Sequence, residues 1–158
     1  MKVSSYMKAQ RYLGSPHSIK REIAQLQESK QYFLERASSI TVPVDRIKVQ
    51  TSTTADMVGD GVTNARSLDE EIDRLYSVLW KRENNIMKMI RHMHDVNYMQ
   101  VLFKVYIQGK TIKQASQEMG RSYYFVLDVH KKALAEFDKR YSSFLHGKKK
   151  EVEENEIL

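Results

Sequence analysis

The residues best suited to chemistry gather in one stretch, KTIKQASQEMGRSYYFVLDVHKKAL, from Lys110 to Leu134. Lys110, Lys113, Arg121, Lys131 and Lys132 are cations suited to phosphate oxygens, contacts that give affinity without sequence choice. Among them, Ser122, Tyr123, Tyr124 and Leu127 offer hydroxyls and apolar surface that can meet base edges and thymine methyl groups in a major groove. Elsewhere no catalytic set assembles. His92 and His94 stand two residues apart, which turns them to different sides of a helix and argues against a shared metal ion. Asp69, Glu70, Glu71 and Asp73 crowd the expected start of a helix, where the dipole favours carboxylates without any catalytic role. The GDG at Gly59 to Gly61 is too short for a phosphate loop or a nucleophile elbow. No catalytic residue, metal site or cofactor is expected, and the chain reads as a non-enzyme.

To act together, the Lys110–Leu134 residues need two helices joined by a sharp turn. Thr111 can cap a helix from Ile112 to Met119, Gly120 suits a left-handed turn, and Ser122 can cap a helix running through Ala133 toward Leu145. Ser116 and Gly120 match the small residue and glycine of a helix-turn-helix, with Ala115, Met119, Val126 and Val129 placed to lock the two helices together. Ser122, Tyr123, Tyr124, Leu127, Asp128 and Lys131 then face outward. Before them, VNYMQVLFKVYIQG sets Tyr98, Leu102, Val105 and Tyr106 on one face and stops at Gly109. Two points stay open at this stage. His130 is equally suited to a phosphate and to packing, and Tyr123, Tyr124 and Phe125 could instead be buried against the N-terminal helices.

The rest of the chain bounds these possibilities. Its 158 residues are 41% hydrophobic and 29% charged, a soluble composition for one modest domain or two very small ones. It has no cysteine, which fits a reducing compartment, and no run of eighteen apolar residues, so a cytoplasmic location and no membrane contact are expected. The net charge of +6 comes largely from residues 1–66 and 96–146, where Lys and Arg outnumber Asp and Glu by ten to six and by eight to four.

Hydrophobic residues recur every three or four positions, which makes the chain all-α. Ile19, Ile23, Leu26, Phe33, Ala37 and Ile40 form one stripe, with Ser18 as N-cap and Lys30 in one apolar slot. Thr41 to Thr53 reads as an irregular connection around Pro43. Val58, Gly61, Ala65, Leu68, Ile72, Leu75, Leu79, Arg82, Ile86, Met89 and Met93 then follow a heptad rhythm, with Arg82 as an edge position. Ser67 and Glu70 form a capping box that allows a second boundary at Ser67. Two such helices make a long antiparallel, coiled-coil-like hairpin with a thin core, to be completed by a homodimer contact through the long helices or by docking on the C-terminal segment. Met87, Met89, Met93 and Met99 suit core filling more than an adaptable protein-binding groove. The expected domains are 1–95, a hairpin for dimerisation or partner binding; 96–146, a three-helix helix-turn-helix segment; and 147–158, a mobile charged tail.

From Tyr98 to Leu134 the order of residues resembles region four of bacterial sigma factors: a hydrophobic helix, a Gly-containing turn, a helix entered at Thr, a Gly-x-Ser turn and a recognition helix ending in KAL. Over nearly its whole length the chain is similar to small prophage proteins of Gram-positive bacteria grouped with the RinA and ArpU late-gene transcription regulators, through RYL at Arg11, DRIKVQTSTTADM at Asp45 and LDEEID at Leu68. The resemblance implies binding to promoter-region double-stranded DNA and contact with RNA polymerase. The alternative is a helical coiled-coil interaction protein that never touches nucleic acid.

Overall fold

A computed structural model describes residues 5–39 and 51–147, with side chains within 6–39 and 58–147. The described residues form α1 (Ser5–Leu13), α2 (Ser15–Ser39), α3 (Thr51–Arg91), α4 (Val96–Leu102), a π-helical turn (Phe103–Ile107), α5 (Ile112–Met119), α6 (Tyr123–Arg140) and α7 (Ser142–His146). No strand occurs among them, so the all-α expectation holds. Positions 41–50 of the expected irregular connection and 148–158 of the expected tail lie outside the described residues; the connection's last positions, 51–53, are already helical.

The chain divides into two compact units, one of Ile19–Trp80 and one of the residues before Ile19 together with those from Lys81 onward. Residues 5–18 and 81–95 thus fall in the same unit as α4 to α7. In the Ile19–Trp80 unit, Ile23, Ile72, Leu75 and Leu79 are buried, with Ile19 and Leu26 against them. Lys30, the polar residue in the α2 stripe, pairs with Asp69 at 2.6 Å, and Gln27 donates to the Tyr76 hydroxyl at 3.2 Å. Contacts advance along α2 as they retreat along α3. At the far end a Cβ on Gly61 would lie 3.1 Å from the Ala37 Cβ, so glycine permits the close approach of the two helices there.

Helix α3 continues through Ser67, which is exposed mid-helix and caps nothing. The capping box yields because the stripe runs unbroken across it, and burying Ala65, Ile72, Leu75 and Leu79 on one helix face outweighs a local alternative of about 1 kcal/mol.

The other unit is built around Ala9 and Leu13 of α1, Ile86 and Ile90 of α3, Met93, Leu102 of α4, and Ala133, Leu134 and Phe137 of α6. Helix α1 went unrecognised in the sequence because nine residues are too few to show a period, and a helix so short holds only through its packing. Arg82 is no idle edge position. Its Nη1 donates to Ser15 Oγ at 2.9 Å and its guanidinium lies 5.2 Å over the Tyr12 ring, so it secures the junction of α1 and α2. Burial raises the Tyr12 phenol, and the Arg82 charge partly offsets that rise.

A pair of substitutions tests the α2–α3 approach. Gly59 has open space around it, so Gly59→Ala should stabilise the protein by about 0.5–1 kcal/mol through helix propensity. Gly61→Ala should gain distinctly less, because Ala37 must yield to the new methyl group. Equal gains in thermal melts would show that the contact at Ala37 is not tight.

Candidate nucleic-acid interface

Each turn around α5 and α6 is set by a local side chain. Asp95 accepts from the backbone N–H of Asn97 at 2.8 Å and of Tyr98 at 3.3 Å, which starts α4. The helix widens into the π-helical turn, and Gly109, at φ 70°, ends it. Thr111 and Gln114 cap α5 reciprocally: the Thr111 hydroxyl accepts from Gln114 N at 3.2 Å, and Gln114 Oε1 accepts from Thr111 N at 3.0 Å. Gly120 sits at φ 62°, ψ 33°, the left-handed conformation that a side chain would strain, while Arg121 N donates to the Ser116 carbonyl at 3.0 Å. Ser122 Oγ then accepts from Phe125 N at 3.2 Å and starts α6.

Inside this turn, Val101, Ala115, Val126 and Val129 are buried together, with Tyr98, Val105, Ile112 and Met119 packed around them. Ala115, Met119, Val126 and Val129 therefore stand where the spacing requires them. Ser116 is also buried, its hydroxyl donating to the Lys113 carbonyl at 2.7 Å. With this side of α6 sealed, the residues between the buried ones turn outward.

Tyr124 is 80% exposed and Tyr123 46% exposed, their rings edge to face at 5.6 Å. Phe125 is partly exposed, and the Arg121 guanidinium lies 5.2 Å over its ring. The reading in which these three aromatics are buried is thereby overturned. Tyr124, Asp128 and Lys131 follow one another at intervals of four and three on one exposed helix face.

The structure sorts the expected contact residues. Lys113, Arg121, Tyr123, Tyr124 and Lys131 are exposed. Leu127 is only half exposed, and the Ser122 hydroxyl is engaged in capping. Lys110 is half-buried and pairs with Glu118, which also accepts from Lys104 Nζ at 2.5 Å. Those two ammonium groups, Lys104 foremost, hold the Glu118 carboxyl below its ordinary range. Lys132 pairs with Asp128 at 2.8 Å, and that hydrogen bond raises its ammonium above the usual value. Lys110 and Lys132 must therefore leave a carboxylate before meeting a phosphate, whereas Lys113, Arg121 and Lys131 are not so engaged. The Asp128 charge, which would repel a phosphate, is countered by Lys132.

Sequence reasoning left the role of His130 undecided, and here it packs. It is half-buried, its ring stacked on Tyr106 with centroids 5.7 Å apart and its Nε2 2.9 Å from the Tyr106 hydroxyl. Burial lowers its pKa first and the Lys131 charge second, which favours the neutral ring, whose tautomer sets the direction of the hydrogen bond with the phenol. Burial pushes the Tyr106 phenol strongly upward, which keeps it protonated. The pair ties the π-helical turn to α6 beneath its outward face. No sequence spacing pointed to it, since the two residues meet only once α4 and α6 have packed. His92 and His94 are exposed.

Comparison with known proteins finds no matching family, no matching curated protein and no matching solved structure.

The depressed His130 pKa gives a pH dependence of definite sign. The unfolded chain binds the extra proton near the ordinary value of 6.5 and the folded chain only below it, so His130's share of stability is complete above about pH 6.5 and declines as the pH falls toward the folded value. Melting temperatures taken from pH 7.5 to 5.5 should therefore fall less steeply for His130→Phe, which keeps the ring and removes the titration. Parallel curves for the two proteins would refute this assignment.

Proposed function

We propose that this chain is a non-catalytic transcription regulator of the prophage late-gene type, which binds double-stranded promoter-region DNA through a sigma-like helix-turn-helix formed by α5 and α6. In this reading the start of α6 enters the major groove, where Tyr123 and Tyr124 meet base edges and thymine methyl groups. Arg121, Lys113 and Lys131 meet phosphates. The regulator works in the cytoplasm as a homodimer through its long helices and contacts RNA polymerase.

One observation carries the reading. Tyr123, Tyr124 and Lys131 are exposed on a helix whose opposite side is sealed by Val126 and Val129, and a capped glycine turn rigidly sets where that helix begins. Two exposed tyrosines beside exposed cations are costly to leave in water and suit a polyanion that also offers apolar edges. The positive balance of residues 96–146 has the matching sign.

A second reading, a helical interaction protein that never touches nucleic acid, is favoured by a different observation: Trp80 on α3 is 68% exposed.

Titration of a selected promoter fragment at several salt concentrations separates the two. Lys131→Ala should weaken binding to every sequence and lower the salt slope by about 0.9, the loss of one phosphate contact. Tyr124→Ala should cost about 1–3 kcal/mol of preference for the selected site and leave the slope unchanged. A Tyr124→Ala/Lys131→Ala double variant that binds like the parent, or a parent protein with no salt-dependent binding to DNA, would reject the DNA reading.

A further inference from the structure

Helix α1 presents two faces. Ala9 and Leu13 are buried in the core of its unit. Lys8, Arg11, Tyr12 and Ser15, spaced at intervals of three and four, form a second stripe that runs from α1 into the first residue of α2. That stripe lines a cleft of about 550 Å³ together with Arg82 and Asn85 of α3 and Phe144 and Leu145 of α7, all within the same unit. Three cations thus share one cleft, and no carboxylate stands in its wall. Their described partners are a hydroxyl, a phenol ring and an imidazole. Arg82 donates to Ser15 Oγ at 2.9 Å and lies over the Tyr12 ring, and Lys8 Nζ is 3.0 Å from His146 Nδ1. Arg11 is exposed and carries no ion pair among the described residues. One carboxylate stands behind Lys8: Asp138, buried, 3.2 Å from the other nitrogen of the same imidazole. Lys81 and Glu83, on either side of Arg82 in the chain, offset each other and line no part of the cleft. With all of these counted, the balance at the cleft stays positive.

We propose that this cleft binds a small organic phosphate of nucleoside-diphosphate size, its phosphoryl oxygens held by Lys8, Arg11 and Arg82 and its apolar part against Phe144 and Leu145. The cations favour phosphate over carboxylate because they come from two different helices. A phosphoryl group presents oxygens in several directions, whereas a carboxylate offers two in one plane. After bonding Ser15, the Arg82 guanidinium keeps further N–H groups in the fork that matches phosphate. A phosphate monoester carries about −1.5 to −2 at neutral pH, so three cations can balance one or two phosphoryl groups. Phe144 is 54% exposed and supplies apolar surface that a bare inorganic anion would not use. The volume also falls in the range of small-molecule sites, about 300–1,000 Å³. Arg82, Tyr12 and Leu145 are each half-buried, which makes the inner wall a recess. A recess admits a separate small molecule more readily than the convex backbone of a duplex. The cleft shares no residue with the outward face of α6 and needs nothing from the DNA reading.

Calorimetric titration of the full chain with pyrophosphate and with adenosine 5′-diphosphate tests the site. Both should bind saturably, the nucleotide about tenfold more tightly because only it reaches Phe144. Arg11→Gln, a change at an exposed position, should raise both dissociation constants about tenfold. Phe144→Ala should weaken the nucleotide alone, to the affinity of pyrophosphate. Lys113→Gln and Lys131→Gln, on the proposed DNA face, should leave both ligands unaffected. The inference is overturned if neither ligand binds by about 10 mM, tenfold above a millimolar dissociation constant. Equal affinities for the two ligands, or an Arg11→Gln protein that binds them like the parent, would overturn it as well. So would a loss of binding in the Lys113 and Lys131 variants, which would move the anion to the face of α6. A short DNA duplex that loses affinity with Arg11→Gln, while adenosine diphosphate neither binds nor competes, would make the cleft a backbone contact and end the small-ligand assignment. Because the first titrations contain no DNA, this proposal and the DNA reading fail separately.

Discussion

Helix α6 is held along one side from Val126 to Phe137, and that burial constrains everything else in its unit. Val126 and Val129 close against Ala115 and Val101, and Ala133, Leu134 and Phe137 close against Leu13, Ile86 and Leu102. Fully burying a valine, leucine or phenylalanine side chain contributes about 1.5–3 kcal/mol, more than any surface ion pair nearby. With the inward side so firmly set, the outward side has no freedom to choose: Tyr124, Asp128 and Lys131 face water because their neighbours cannot.

Charge on that outward side is already partly arranged. Glu118 draws in Lys104 and Lys110, and Asp128 draws in Lys132. Each such pair is worth little in water, since solvent screens it, and either cation could exchange its carboxylate for another anion at small cost. The formal charge of residues 96–146 is thus a poor guide to which cations are ready for a polyanion. Lys113, Arg121 and Lys131 are exposed and carry no such ion pair among the described residues, and the exposed Tyr123 and Tyr124 share the start of α6.

The single left-handed glycine at the turn matters for the same reason. Gly120 fixes where α6 begins, and Ser122 and Thr111 satisfy backbone N–H groups that would otherwise be left without partners at the helix starts. These are local devices, readable by eye in the sequence. They succeed here because nothing distant competes with them. At Ser67 the same device, a serine followed three residues later by a glutamate, fails because α3 gains more from an uninterrupted buried face than from a cap.

Local chemistry therefore determined what the sequence by itself could tell: the all-helical class, the caps at Thr111 and Ser122, the turn at Gly120 and the packed set Ala115, Met119, Val126 and Val129. Each depends on residues within a turn or two of one another, where spacing is geometry. Tertiary structure alone decided the rest. Helix α1 is too short to announce itself and stands only on its contacts with α3 and α6, and Arg82 looked like a tolerated edge until Ser15 and Tyr12 came within its reach. The engagement of Lys110 by Glu118 and of His130 by Tyr106, and the exposure of Trp80, likewise rest on which surfaces packing brings together and which it leaves bare. Spacing along the chain encodes the faces of a helix, but only the burial of one face against another selects what remains open to a partner.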